Sequence, residues 1–159
     1  MRVRAAAPCR ADLAGGTLDI WPLGLLHPGA LTVNVALPVS VVLDLSDNAA
    51  EGVVRHRVIG GPWRELNAGN ASEDLTAAVC FHLAPQGGFT VDVLEQAPMG
   101  SGLGGSSTYG VTLIRAVAKI TGKEFGDEQV VRLVQDLEAR LLGTLTGCQD
   151  HWAAVRGGI

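Results

Sequence analysis

The chain has 159 residues, of which 47% are hydrophobic, and a net charge of −4 at pH 7; this favours one domain with a buried core and argues against a nucleic-acid partner, which needs a broad cationic surface. Its three cysteines are odd in number and far apart, at positions 9, 80 and 148, which argues against a disulfide framework or a structural zinc site and favours a reducing compartment. No apolar run reaches the roughly 20 residues of a membrane span, and the N-terminus lacks the apolar core of a signal peptide, so we expect a cytoplasmic location.

The first half of the chain is predicted to be mainly β-structure. We predict a strand over residues 2–14 that ends at a pair of glycines. Residues 31–45 predict one long strand or two, with Pro38 marking an edge or a bulge. Another strand is predicted over residues 53–59.

The second half alternates between helical and extended patterns. Strict alternation in residues 89–95 places the apolar side chains on one face of a strand. A helix beginning near Asp127 and ending at Gly143 has an apolar stripe of period 3.6. The other predicted helices are residues 73–84, residues 106–121 and a short one near the C-terminus. This order predicts an α+β domain with helices on one face of a mainly antiparallel or mixed sheet.

Between the strand at 89–95 and the helix at 106–121 lies the stretch APMGSGLGGSST, residues 97–108. The first turn of a helix has unpaired N–H groups and partial positive charge, so a phosphate is its natural ligand. Glycines let the backbone approach an anion closely, and the hydroxyls of Ser106 and Ser107 suit a phosphate oxygen or magnesium. The alternative is a sharp strand-to-helix turn in which the serines only cap the helix.

Three phosphate-binding motifs fail on context. A P-loop requires a lysine before its Ser/Thr, and none is present. Gly100, Gly102 and Gly105 satisfy GxGxxG, but the helix is followed by another helix rather than by the strand of a dinucleotide-binding fold. The protein-kinase glycine loop joins two strands, whereas this one joins a strand to a helix.

A fourth pattern, Pro-x-x-x-Gly-Leu-Gly-Ser-Ser-Ala, does fit. The loop resembles the ATP-binding loop of the GHMP kinases, the superfamily of galactokinase, homoserine kinase, mevalonate kinase and phosphomevalonate kinase. Gly105 and Ser107 depart from the pattern, in a form more similar to the fucokinase and heptose-phosphate kinase branch. The residues in register are Pro98, Gly102, Leu103, Gly104 and Ser106.

Two further stretches support the resemblance. Residues 7–22, APCRADLAGGTLDIWP, are similar to the family's opening segment at Ala7, Pro8, Arg10, Leu13, Gly15 and Asp19. Gly16 and Thr17 replace the Glu-His of galactokinases, which puts galactose in doubt as the substrate. Residues 137–158 match the family's helix glutamate, its Gly-x-x-Asp and its downstream Gly-Gly at Glu138, Gly147, Asp150, Gly157 and Gly158. Without the family, Glu138 is a solvated helix carboxylate and Asp150 a loop or N-cap residue.

The resemblance implies a ribosomal protein S5 domain 2-like fold and phosphoryl transfer from ATP to a hydroxyl of a sugar or sugar phosphate. It implies that Ser106 and Glu138 hold Mg²⁺, and that Asp150 accepts a proton from the attacking hydroxyl or orients it. Arg10 would neutralise charge beside Asp150, and Asp19 would accept hydrogen bonds from the sugar. The backbone that would hold the triphosphate comprises Pro98, Gly100, Ser101, Gly102, Leu103, Gly104, Gly105, Ser106 and Ser107.

Three aromatic side chains near these motifs have ambiguous roles. His151 is expected to be a partly buried structural histidine, with a supporting position behind the site as the alternative. Trp21 and Trp152 are expected in the core, with the sugar site as the alternative.

The resemblance covers residues 1–159 as the N-terminal, ATP-binding lobe of such a kinase, and we expect the C-terminal lobe to be absent from this chain. The alternatives are a non-catalytic nucleotide-binding remnant, half of a split kinase, or a purely structural domain. Apolar surface left without a partner lobe predicts self-association.

Overall fold

The computed structural model describes residues 1–159 and contains five strands and five α-helices. The strands are β1 (Arg2–Ala14), β2 (Val33–Ser46), β3 (Val54–Val58), β4 (Arg64–Leu66) and β5 (Phe89–Glu95). The helices are α1 (Leu23–Leu26), α2 (Leu75–Leu83), α3 (Gly105–Thr121), α4 (Asp127–Leu142) and α5 (Gln149–Arg156), with a 3₁₀ turn over Ala68–Ser72. None of these helices combines the length and hydropathy needed to cross a bilayer.

The strands form one mixed, mainly antiparallel sheet in the order β1-β2-β5-β3-β4. Only the β3–β5 pair is parallel, and the other three pairs are antiparallel. Helices α2, α3 and α5 pack on one face of the sheet, where α3 lies against β1 and β2, and α4 packs against these three helices. The predicted α+β class and the helices on one face are confirmed.

The proline in β2 lies in a β-bulge of a single continuous strand. Pro8 pairs with Ser40 and Arg10 pairs with Ala36, so one residue of β1 faces three of β2, among them Pro38. A bulge leaves a residue outside the ladder, so the missing N–H of proline is tolerated there. Cys9 and Arg10 are consecutive and both buried, which breaks the alternation of β1 and turns Arg10 away from the solvent face.

The helix predictions hold with small shifts of their ends. The stripe of α4 is confirmed, because Val130, Val134 and Leu137 are buried against the core. Helix α2 is buried nearly all round, with only His82 exposed. The long strand begins at Val33 rather than at residue 31.

Three short elements were not predicted, namely β4, α1 and the 3₁₀ turn. Strand β4 has three residues and α1 has four, too few for a periodic pattern to emerge. No residue of α1 is buried. The expectation that Trp21 belongs to the core is wrong, because it precedes α1 and is 62% exposed.

The outer face of the sheet is covered by ion pairs. On this face Asp44 of β2 accepts hydrogen bonds from the guanidinium of Arg4 at 2.8 Å and from that of Arg2 at 2.6 Å. The hydrogen bond from Arg4 is the largest of the effects that lower the pKa of Asp44 to about 2, and burial opposes it. Asp44 therefore stabilises the fold above its ordinary pKa of about 4, and loses that contribution as the pH falls towards 2.

Replacing Asp44→Asn should reduce the acid sensitivity of the fold. We expect the difference in unfolding free energy between wild type and variant to shrink as the pH falls from about 4 to about 2, because protonation removes the charge in the wild type as well. Urea denaturation at a series of pH values measures this. Asp136→Asn, an exposed carboxylate without an ion pair, is the control and should leave the pH profile unchanged. A difference that stays constant over this range would contradict the assignment.

Helices α3 and α4 cross at a glycine. A Cβ built on Gly110 would lie 2.5 Å from Cγ1 of Val134, whose side chain is fully buried. Valine has a stiff χ1 in a helix, so the contact cannot be relieved by a simple rotamer change.

Gly110→Ala should therefore destabilise the protein, although alanine is ordinarily the better helix former. We expect a net loss of about 1–2 kcal/mol in chemical denaturation, because overpacking outweighs the gain in helix propensity. Gly105→Ala is the matched control in the same helix, since its Cβ would lie 3.5 Å from the Cβ of Ala97, an ordinary contact. Equal effects of the two substitutions would rule out the packing explanation.

Candidate active site

The loop between β5 and α3 exposes a row of backbone amides. Gly100, Gly102 and Gly104 have φ values of +75°, +71° and +70°, in the left-handed region that favours glycine. The amides of residues 102–107 donate to no acceptor in the protein. The first turn of α3 contains no acidic residue, so its dipole is not compensated there. The loop residues, with Tyr109 and Asp150, line a cavity of about 360 Å³. This arrangement suits an anionic ligand.

Asp150 lies directly against this loop. It is the second residue of α5, and a Cβ built on Gly104 would lie 3.1 Å from its carboxyl carbon. Gly104 thus needs to be glycine for two reasons, its positive φ and the close approach of Asp150. The side chain of Asp150 remains 25% exposed, so it can still meet a ligand in the cavity.

Arg10 connects β1 to both the loop and α5. Its Nε donates to Oδ1 of Asp150 at 2.7 Å, and its Nη1 donates to the carbonyl oxygen of Gly102 at 2.8 Å. Its own backbone N–H donates to the carbonyl of Leu103 at 3.2 Å. The guanidinium therefore sets the distance between the carboxylate of Asp150 and the backbone of the loop.

Glu138 of α4 is buried beneath the start of α3. Its Oε1 accepts from the hydroxyl of Ser106 at 2.7 Å, and its Oε2 accepts from Ser107 at 2.8 Å and from Nε2 of His151 at 2.9 Å. A carboxylate only accepts, so the proton of the His151 ring is assigned to Nε2. The other ring nitrogen, Nδ1, is buried and has no partner.

These donors keep Glu138 ionised although it is 5% exposed. Burial opposes the charge, but the hydrogen bonds from His151, Ser106 and Ser107 outweigh it and hold the pKa of Glu138 below its usual value. The alternative of a solvated helix carboxylate is wrong. The site thus contains a fixed negative charge next to the hydroxyl of Ser106.

Asp19 lies in the connection between β1 and β2 and contacts the start of α5. Its Oδ2 accepts the backbone N–H groups of Cys148 and Gln149, the latter at 2.9 Å, while its Oδ1 is buried without a partner. Asp19 also borders a second cleft of about 370 Å³, with Thr32, Asn34, Trp152 and Arg156 among its other residues. Trp152 is half-buried in this cleft rather than in the core, contrary to expectation.

The structure thus brings the residues singled out in the sequence to one region. Arg10, Glu138 and Asp150 each contact the segment 102–107, and Asp19 contacts the helix that carries Asp150. The roles assigned to these residues remain predictions.

Two features of the site differ from expectation or were not predicted. The first is His151, which is fully rather than partly buried and donates to Glu138, so it takes the supporting position that was the alternative. The second is Tyr109, which lines the loop cavity and bonds Thr76 through its hydroxyl at 2.8 Å. Burial raises the pKa of this phenol, so it stays protonated. No sequence pattern distinguishes Tyr109 from an ordinary core aromatic.

Fold and site together define an α+β domain whose helix-entrance loop has free backbone amides, and comparison with known proteins gives its family. The family model of the GHMP kinases N-terminal domain matches residues 71–158, more than half of the chain. This chain belongs to the GHMP kinase family, as its motifs predicted.

Several individual relatives are heptose-phosphate kinases or fucokinases, the branch that the motifs resemble. A D-glycero-alpha-D-manno-heptose 7-phosphate kinase of Campylobacter jejuni is 39% identical over 71 residues, which cover 45% of this chain and 21% of that protein. A bifunctional fucokinase/GDP-fucose pyrophosphorylase of Arabidopsis thaliana is 25% identical over 99% of this chain and 17% of its own length. The crystal structure of a D-glycero-D-manno-heptose 1-phosphate kinase from Bacteroides thetaiotaomicron superposes with a TM-score of 0.82 at 27% identity, covering 99% of this chain and 54% of that one. The chain therefore spans about half the length of this solved relative, and its alignments cover about a fifth of the curated ones.

Removing the third donor to Glu138 should weaken the fold. His151→Phe keeps a planar aromatic ring, somewhat larger than imidazole, but leaves the carboxylate with two serine donors, so we expect a loss of at least about 2 kcal/mol, typical of a hydrogen bond to a charged group. Urea denaturation at pH 7 measures the change. His151→Gln, whose amide can still donate, should lose less. If His151→Phe were as stable as the wild type, the hydrogen bond from His151 to Glu138 would not contribute to the free energy of unfolding.

Proposed function

We propose that this chain is the nucleotide-binding lobe of an ATP-dependent kinase that phosphorylates a hydroxyl of a sugar or sugar phosphate. The main support is the row of free amides at residues 102–107 with the carboxylate of Asp150 packed against the same loop. Membership of the GHMP kinase family and similarity to heptose-phosphate and fucose kinases support the same assignment.

In this proposal the loop binds the triphosphate of ATP. Backbone N–H groups at the start of α3 donate to the phosphate oxygens, and the helix dipole stabilises their charge without a lysine. Phosphoryl transfer needs mainly positioning and electrostatic stabilisation, which fixed backbone dipoles provide without reorganisation. The residues proposed to contribute are Pro98, Gly100, Ser101, Gly102, Leu103, Gly104, Gly105, Ser106 and Ser107.

Ser106 and Glu138 are proposed to hold Mg²⁺. The ion prefers oxygen donors and takes only one or two protein ligands, and these two residues present a hydroxyl and an ionised carboxylate 2.7 Å apart. Each carboxylate oxygen has further lone pairs beyond the hydrogen bonds it accepts. Magnesium, when bound, would neutralise charge on the phosphates. Ser107 and His151 would keep the carboxylate of Glu138 in place.

Asp150 is proposed to accept the proton of the attacking hydroxyl or to orient it. A carboxylate can do so only within hydrogen-bond reach of the hydroxyl, and Asp150 faces the cavity that contains the loop amides. Arg10 is proposed to hold the carboxylate of Asp150 in place and to reduce negative charge between it and the phosphates. Asp19 borders the second cleft and is proposed to accept a hydrogen bond from the acceptor sugar there.

We also propose that catalysis requires a second lobe, because the chain spans about half of the solved heptose kinase. Exposed apolar side chains, including Leu25, Leu26 and Leu31, lie in the connection that contains Asp19. Such a surface suits a docking lobe or self-association. The alternative is a nucleotide-binding remnant or half of a split kinase.

Binding of ATP is the first test. A non-hydrolysable ATP analogue with Mg²⁺ should raise the melting temperature of the 159-residue chain, because a ligand that binds only the native state stabilises it by about 2.7 kcal/mol at a concentration one hundred times its Kd. Differential scanning fluorimetry measures the shift. No shift at millimolar nucleotide would refute the proposal and leave only a structural domain.

Turnover is the second test, by a coupled assay over a panel of sugars and sugar phosphates. Asp150→Asn should keep the thermal shift but lower turnover at least about a hundredfold, as expected for loss of a general base. Asp136→Asn, exposed on the outer side of α4, should change neither. Turnover by the 159-residue chain alone would contradict the need for a second lobe, whereas binding without turnover agrees with that need and with the remnant or split kinase.

A further inference from the structure

We infer that Asp19 is a positioning residue: it caps α5 from a distance and thereby fixes Asp150. The inference rests on the proposed function only in giving Asp150 a catalytic role. It goes beyond substrate binding, because the oxygen concerned, Oδ2, accepts two backbone N–H groups of the protein.

Helix α5 has no cap of its own. The first N–H groups of a helix lack partners within it, and a side chain at the N-cap usually supplies one. The N-cap residue here is Cys148, whose side chain accepts no such hydrogen bond. Oδ2 of Asp19 instead accepts the N–H groups of Cys148 and Gln149, across 129 and 130 residues of sequence.

The fit around this carboxylate is close. A Cβ built on Gly147 would lie 2.5 Å from both oxygens of Asp19, so the absence of a side chain at 147 is what lets the carboxylate reach the helix. The charge of Asp19 also lies at the positive end of the α5 dipole, where an anion is stabilising. Hydrogen bonding, packing and charge therefore all hold Asp19 at the start of α5.

The hydrogen bonds of Asp19 also affect Asp150, which is one residue further along the chain. Asp150 follows Gln149, so the backbone bound by Asp19 is the backbone from which the Asp150 side chain projects. Arg10 holds the other end of Asp150, at its Oδ1. Asp19 thus anchors the main chain and Arg10 the carboxylate.

Amide hydrogen exchange tests the inference on the unliganded 159-residue chain, followed by NMR. In Asp19→Ala the amides of Cys148 and Gln149 should exchange at least about tenfold faster, as expected from the loss of a helix cap. In Asp19→Asn one oxygen still accepts, so exchange should rise by less than in Asp19→Ala. Amides in the middle of α3 should change little in either variant. Asp12→Asn is the matched control. Asp12 accepts a hydrogen bond from the side chain of Gln149 at 3.3 Å but from no backbone N–H group of α5.

Unchanged exchange at Cys148 and Gln149 in Asp19→Ala would overturn the inference. Equal acceleration in α3 would do so too, since it would indicate general destabilisation. Where turnover is measurable, Asp19→Ala should lower kcat more than Asp19→Asn does. An effect confined to the KM for the sugar, with exchange unchanged, would instead leave Asp19 as a substrate ligand. Failure of the wild-type chain to bind the ATP analogue would contradict the proposed function without touching this result, because exchange is measured without nucleotide.

Discussion

The site depends on the hydrogen bonds that the guanidinium of Arg10 donates. This group binds the carbonyl of Gly102 and the carboxylate of Asp150, and so joins β1 to the glycine loop and to α5. Both side chains are largely removed from water, and a buried ion pair is weak support for stability by itself. Removal of one partner, however, leaves an uncompensated buried charge, at a cost of about 3–5 kcal/mol. The pair is therefore better explained by the geometry it imposes than by the stability it adds.

The charge of Glu138 likewise depends on opposing effects of burial and hydrogen bonding. Burial raises the pKa of its carboxyl group, but three donors from two helices outweigh that effect and hold the pKa below its usual value. The donors come from the beginning of α3 and from α5, so the ionised state of Glu138 depends on how these two helices meet α4. The site and the helix packing are thus coupled: a change that separated α3 from α4 would also change the charge beside the loop.

Much of the fold could be predicted because its pattern is local. The alternation in β5 and the stripe in α4 follow from which side chains must leave water, and both elements lie where predicted. Short elements such as β4 and α1 were not predicted, because three or four residues are too few to show a periodic pattern. Trp21 was misjudged for a related reason: hydrophobicity favours burial, but only the packing of neighbours decides whether a core is available.

For the site, the sequence by itself determined the chemistry that is local to a segment: a glycine-rich turn whose amides cannot all be satisfied, two serines at the start of a helix, and carboxylates at positions 138 and 150. Only the tertiary structure decided which groups meet. It placed Asp150 against Gly104, made His151 a donor to Glu138, and brought Asp19 to the α5 amides across some 130 residues. The physical reason is that helix geometry and hydrogen-bond demand are set by near neighbours, whereas contacts between distant segments are set by how the apolar faces of sheet and helices dock.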